Sequence, residues 1–267
     1  MRAYRVAYDG RPYAGFQRQP DVPTVEDELL DALGTLGVTD AETPPGYAAA
    51  GRTDAGVSAL AQTVAFEAPE WLTPAAFNSE LPAGVRAWAA AAAPERFHAT
   101  HDAAARTYVY HLYAPETMVA DARARAALDG LRGEHDFHNL TPDHDGTVRT
   151  LDGSLVRDGD FLVVTLEAGG FARQLVRRVV SLVAAVGRGD RDVAAVERAL
   201  ASDPLPGPEG IPPAPAHPLI LQDVTYPSLT FERDADAAAS ARAVFEERHV
   251  EHAARARVAG AISDSLG

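Results

Sequence analysis

The chain is 267 residues long, carries 38 Asp and Glu against 24 Lys and Arg for a formal charge of −14, and has no cysteine. That length allows two modest domains or one large one, and a hydrophobic fraction of 46% excludes a disordered chain. The missing thiols exclude disulfides, thiolate metal sites and cysteine nucleophiles. All 24 cations are arginines, because the sequence contains no lysine. An acidic, lysine-free, alanine-rich composition suits a halophilic cytoplasm, and it requires any polyanion-binding site to be a local arginine patch. No apolar run approaches bilayer length, and Met1-Arg2-Ala3-Tyr4-Arg5 begins an alternating strand rather than a signal peptide. A cytoplasmic protein without a membrane segment is expected.

Alternation over residues 3–8 predicts a strand, followed by a Gly/Pro-rich loop over 9–23. Thr24 and Asp27 form a capping box that opens a helix through residue 36. Residues 47–66 read as strand, loop and strand. Thr73-Pro74 opens a helix to residue 81, and a further strand starts at Val85. Residues 106–113 form a strand with Arg106, Tyr108, Tyr110 and Leu112 on one face. Residues 121–132 are a helix ending at Gly133, and the His135-Asp136 segment reads as loop. Strands over 148–156 and 161–167 flank a turn at Asp158-Gly159-Asp160. A long helix over 173–186 ends at Gly187, and another spans 192–201. Residues 203–218 are proline-rich and irregular, 219–226 are the last strand, and 233–264 form one or two helices. Strands in groups with helices between them give an α+β class. Two domains are expected, residues 1–100 and 101–267, each a mainly antiparallel sheet flanked by helices, with an active-site cleft between them.

The stretch Gly51-Arg52-Thr53-Asp54-Ala55-Gly56-Val57 sets one carboxylate between two glycines and close to an arginine. Small neighbours let the backbone bend sharply and let a bulky ligand approach. An aspartate beside Arg52 is kept ionised and aimed, as a nucleophile or base requires; an ordinary turn uses the same residue types. Arg106 beside Tyr108 and Tyr110 suits stacking on a base and gripping a phosphate, although tyrosine is also an ordinary strand residue. Arg177 falls off the apolar stripe of Leu175, Val179, Val183 and Val186, as a solvated position would. His135, Asp136, His138, His144 and Asp145 lie close in sequence and raise the alternative of a metal-dependent phosphohydrolase. No two of those histidines have the i, i+4 spacing of a helical zinc site.

Taken in order, the motifs resemble the TruA-type tRNA pseudouridine synthases. The 51–57 block resembles the family signature. Tyr8-Asp9-Gly10, Tyr13 and Gly15-Phe16-Gln17-Arg18-Gln19 resemble its opening loop, and Thr24-Val25-Glu26 its first helix. Phe97-His98-Ala99 with Arg106-Thr107-Tyr108-Val109-Tyr110 resembles its Arg-x-Tyr-x-Tyr strand, and Gly133-Glu134-His135-Asp136-Phe137 its Gly-x-x-Asp-Phe turn. Phe171 through Val176-Arg177 resembles its Phe-to-Arg helix. Pro213-Ala214-Pro215-Ala216, Leu219, Leu221, Val224 and Tyr226 resemble its closing strand, so that the set covers residues 1–227. Ser58 and Ala61 stand where many relatives carry His and Gly.

The resemblance implies an enzyme that breaks the N-glycosidic bond of a tRNA uridine, rotates the uracil and joins C5 to C1′. It implies action in the anticodon arm, around positions 38 to 40, on a base extruded from its stack. It implies no cofactor and no metal, and a homodimer that grips one tRNA across two subunits. It makes Asp54 the catalytic carboxylate, pairs Arg177 with it across the cleft, stacks Tyr108 on the uracil, and gives Arg52 and Arg106 to the substrate. A non-catalytic RNA-binding relative is the other alternative, and the joint presence of Asp54, Tyr108 and Arg177 argues against it.

Overall fold

The computed structural model describes residues 1–207 and 210–266. Among these, the elements run β1 (Arg2–Tyr8), α1 (Val25–Thr35), β2 (Ala48–Ala49), β3 (Ser58–Phe66), α2 (Pro74–Phe77), β4 (Val85–Ala92), β5 (Ala105–Tyr113), α3 (Asp121–Leu131), β6 (Gly133–Asp136), β7 (Val148–Asp158), β8 (Phe161–Ala168), α4 (Leu175–Arg188), α5 (Ala194–Leu200), β9 (Leu219–Thr225), β10 (Glu232–Arg233) and α6 (Ala235–Leu266). The strands form one ten-stranded sheet in the order β10-β4-β1-β3-β9-β5-β8-β7-β6, with β2 added beside β3. Every pairing is antiparallel except the short parallel contact of β3 with β9, Ser58 to Ile220 and Ala59 to Leu221. This is the expected α+β class.

The apolar residues divide into two clusters on either side of that parallel contact. One gathers side chains from β1, α1, β3 and β4, with Leu221, Val224 and Tyr226 from the far end of the chain. The other gathers α3, β7, β8, α4 and α5, and also takes Leu219 and Val57. Ala103, Leu229 and Phe231 also pack against the first cluster, so both clusters draw on residues from either side of position 100. Each Leu, Val or Phe fully buried in them contributes roughly 1.5–3 kcal/mol relative to exposure. Tyr108 packs against both clusters, which places it at the seam.

Local signals place most elements well. Thr24 caps α1 by accepting from the Asp27 amide at 3.2 Å. Several boundaries differ for physical reasons. The helix after Thr73 stops at Phe77 rather than residue 81. Asn78 turns its amide onto β4 instead, donating to the Ala87 carbonyl and accepting from the Ala87 amide, both at 2.8 Å. Residues Gly133–Asp136 form strand β6 on β7, not a loop; the strand is short and largely exposed, so it has no apolar alternation to announce it. Of residues 233–264, Arg233 ends the two-residue strand β10 and 235–264 lie in the single helix α6.

Gly187 does not end α4. The helix continues to Arg188 and is capped by Gly189 in the left-handed region at φ 82°. Gly187 lies buried where α4 meets the start of α3, and a Cβ there would come within 2.7 Å of Val119 Cγ1 and 3.2 Å of Ala124 Cβ. Gly187→Ala is therefore expected to lower stability by about 1–3 kcal/mol through overpacking, despite alanine's helical preference. Gly34→Ala, on a helix position with nothing within 4 Å of the added Cβ, should instead stabilise by about 0.5–1 kcal/mol. Thermal unfolding of the two variants measures both signs.

Candidate active site

The 51–57 loop lies between β2 and β3 and is held from three sides. Behind it runs the loop after β1. Phe16 N donates to the Thr53 carbonyl at 3.0 Å, Gly56 N to the Tyr13 carbonyl at 3.3 Å, and Gly15 bridges to Asp54. These two backbones approach closely because glycines stand on both. Gly15 has φ 123° and Gly56 φ 80°, and a Cβ at Gly10 would sit 2.0 Å from the Val57 carbonyl oxygen. Beneath it, the buried Tyr8 hydroxyl shares a 2.8 Å hydrogen bond with the Thr53 hydroxyl, and Gln62 donates to the Gly51 carbonyl at 2.7 Å. Ser58, one of the two departures from the family pattern, accepts from Gly10 N at 3.1 Å.

The third side is α4. Arg177 Nη1 donates to Asp54 Oδ2 at 2.9 Å, with 15% of the arginine side chain and 27% of the aspartate exposed. The guanidinium is aimed by the proline-rich segment: Arg177 Nε donates to the Ala214 carbonyl at 2.7 Å, and Ala214 N donates back to the Arg177 carbonyl at 3.1 Å. The neighbouring Arg178 donates to the Ile211 carbonyl at 2.5 Å. Thus Arg177, which falls off the apolar stripe, faces the cleft rather than solvent. Gln174, just before α4, takes a left-handed backbone at φ 60°, uncommon outside glycine, and lines the same cleft.

The cleft encloses about 1330 Å³ and is walled by both halves of the chain. Asp54, Tyr108 and Arg177 meet in it. The Tyr108 ring stands edge-on to Phe171 at 5.2 Å and 89°, and a Cβ on Gly51 would lie 4.0 Å from its hydroxyl. Arg52 is exposed on the cleft wall and makes no side-chain hydrogen bond or ion pair among the described residues. Arg106 is placed differently from the expected phosphate grip. It is buried, and its guanidinium donates to the carbonyls of Ala50 (3.1 and 2.8 Å), Gly169 (2.6 Å) and Thr100 (2.7 Å). Those bonds fasten the residue just before the 51–57 loop to both halves of the protein. Composition offers no signal for this, because an arginine bound to carbonyls and one bound to phosphate look alike in sequence.

Other cleft residues escaped the sequence reading. His98 and His101, with ring centroids 4.2 Å apart, and Arg149 line the cleft. The separate histidine and aspartate cluster does not assemble into a metal site. His135 Nε2 lies 2.9 Å from the Arg132 carbonyl, Asp136 accepts from His138 N at 3.1 Å, and no three potential ligands converge among the described residues.

Burial pushes the Tyr108 phenol up to about 12; the nearby Asp54 charge adds to the rise and Arg106 opposes it. The neutral phenol is thus favoured in the folded state. Its contribution to stability is fully present below the ordinary phenol value of 10.0 and is lost as pH rises through about 12. Titration of phenolate absorbance, wild type minus Tyr108→Phe, should show this one group ionising near pH 12; a difference midpoint at 10.0 would contradict the packing described.

The family model described as tRNA pseudouridine synthase matches residues 127–227. A protein of Haloarcula marismortui named tRNA pseudouridine synthase A is 59% identical over 275 residues, covering 100% of both chains. Its namesake in Halobacterium salinarum is 60% identical over 97% of both chains. That of Natronomonas pharaonis is 61% identical over 98% of this chain and 99% of its own. Among solved structures, a chain of the archaeal box H/ACA sRNP Nop10-Cbf5 complex overlaps 69% of this chain and 53% of its own at a TM-score of 0.30 and 13% identity, too loose an overlap to bear on the fold. With relatives this similar over its full length, the chain belongs to the tRNA pseudouridine synthase A family.

Proposed function

We propose that this chain isomerises uridine to pseudouridine in the anticodon arm of tRNA, with Asp54 as the carboxylate that carries the chemistry. The observation behind the reading is the placement of Asp54. It sits on a loop fixed by backbone hydrogen bonds, opens into a cleft, and is paired at 2.9 Å with Arg177. A charge-assisted bond of that kind orients the carboxylate. Reaction on a base in an RNA stem first requires its extrusion. Arg52, exposed on the cleft wall and without a side-chain partner among the described residues, is available to hold the RNA where the base leaves. The Tyr108 ring, set by Phe171, offers an aromatic face for the uracil.

The N1–C1′ bond breaks, the uracil turns, and C5 bonds to C1′; C5 then loses its proton and N1 gains one. Substrate and product are isomers, so the balance requires no oxidant or co-reactant. A carboxylate at this point serves any of three routes: attack on C1′, attack on C6, or removal of the 2′ proton. All three need Asp54 charged and aimed. In this reading Arg106 serves the substrate indirectly, by holding Ala50 and with it the start of the catalytic loop. The two halves of the chain act as domains flanking one cleft.

The family resemblance further supports a homodimer gripping one tRNA, which light scattering of the purified protein tests; a monomer that is fully active would remove it. No helix among the described residues is long and apolar enough to cross a membrane, and action on tRNA supports a cytoplasmic location. Reporter fusions read in intact cells test that.

The direct test of function is mapping pseudouridine in unmodified tRNA incubated with the purified protein. Asp54→Asn keeps the shape of the side chain and removes the charge a nucleophile or base needs. It should abolish pseudouridine formation while tRNA binding stays within about twofold of wild type, since uncharged isosteres disturb packing little. Turnover by the pure variant above trace contamination would refute the assignment of Asp54.

A further inference from the structure

Helix α6 is buried only near its start, through Ala237, Ala238 and Ala241, where it packs on β4. Further along, one side chain reaches back into the body of the protein. Arg248 Nη1 donates to Asp9 Oδ2 at 2.7 Å. The Asp9 side chain is only 10% exposed and also takes Arg11, Nε to Oδ1 at 2.8 Å and Nη2 to Oδ2 at 2.6 Å. Arg11 is 42% exposed and Arg248 28%, so Arg248 is the better shielded partner. The guanidinium of Arg248 occupies room left by a missing side chain: a Cβ on Gly84 would lie 2.7 Å from its Nη2. The Gly84 carbonyl in turn accepts from Asp9 N at 3.1 Å.

Asp9 starts the loop that forms the back of the catalytic loop. Gly10, next in sequence, is pressed onto the Val57 carbonyl and donates to Ser58 Oγ. Tyr13, Gly15 and Phe16 then contact Gly56, Asp54 and Thr53 in turn. A continuous set of contacts therefore runs from α6, through one nearly buried carboxylate, to the backbone carrying Asp54.

We propose that Arg248 is a positioning residue, through which the C-terminal helix braces the catalytic loop and fixes the placement of Asp54. This rests on the reading of Asp54 as the catalytic carboxylate. Without Arg248, Asp9 keeps Arg11, so the fold survives while the loop loses its outer support. Small displacements of a reacting group cost rate rather than affinity.

The test is single-turnover pseudouridine formation with saturating unmodified tRNA, together with tRNA affinity and thermal unfolding, for full-length Arg248→Met, Arg248→Lys and Arg255→Met. Among the described residues Arg255 pairs only with Glu251 on the same helix, at 2.6 Å. Arg248→Met should slow the rate constant about tenfold with tRNA affinity within about twofold. Arg248→Lys should recover part of the loss, and Arg255→Met should match wild type. A folded Arg248→Met protein at the wild-type rate overturns the proposal. So does a loss confined to tRNA affinity, which makes Arg248 an RNA contact, or equal slowing by Arg255→Met, which traces the effect to the helix as a whole. Should Arg248→Met fail to fold, Arg248→Gln, which keeps the stem and a donor without the charge, is judged by the same criteria. Absence of product from the wild-type protein would instead refute the functional reading on which the proposal stands.

Discussion

A single ion pair joins residues 123 positions apart in sequence, Asp54 on the 51–57 loop and Arg177 on α4, and the surrounding structure exists to bring its two ends together. Neither end is left to the pair itself. Arg177 is aimed by the Ala214 carbonyl, and Asp54 is carried by a backbone stitched to the loop after β1. Breaking a fully buried pair by removing one partner costs about 3–5 kcal/mol. With 27% of the Asp54 side chain exposed, water shares the burden and the structural cost is smaller. The value of the contact therefore lies in orientation more than in stability, as the role proposed for Asp54 requires.

The chain's cations are all arginine, and the site shows what a guanidinium supplies. Arg106 donates to three carbonyls at once, Arg177 to one carbonyl and one carboxylate, and Arg248 to a carboxylate already held by Arg11. An ammonium presents a compact point charge without this planar fork. Arg106 and Arg177, at the cleft wall, oppose an acidic body of formal charge −14. The acidic, lysine-free composition also fits the halophilic archaea that carry relatives about 60% identical to this chain. Attraction for RNA then depends on a few local cations rather than on the overall field.

The sequence made legible whatever depends on neighbours along the chain. The Thr24 cap, the alternating strands and the Gly-Asp-Gly spacing of the 51–57 loop all express local chemistry, and all were found where expected. Features that depend on distant partners were not legible. Gly187 reads as a helix stop, but it is a point of close helix approach that only the position of Val119 and Ala124 explains. Arg106 reads as a ligand for phosphate, but its carbonyl partners come from three separate segments. Only family resemblance places Arg177 beside Asp54, since its position off the apolar stripe suggests solvent. Asp9 with Arg248 gave no sequence signal, because the two are 239 positions apart and their types are common on surfaces.

The orientation of Asp54 by Arg177 is reached most directly by one measurement: the single-turnover rate constant for pseudouridine formation by Arg177→Met, with tRNA saturating and binding followed in parallel. The methionine keeps the stem and removes the guanidinium, so the carboxylate loses its aim while the RNA surface is largely retained. The expected rate is lower by at least about a hundredfold, the scale of a misplaced catalytic group, with tRNA still bound. A rate equal to wild type would contradict it.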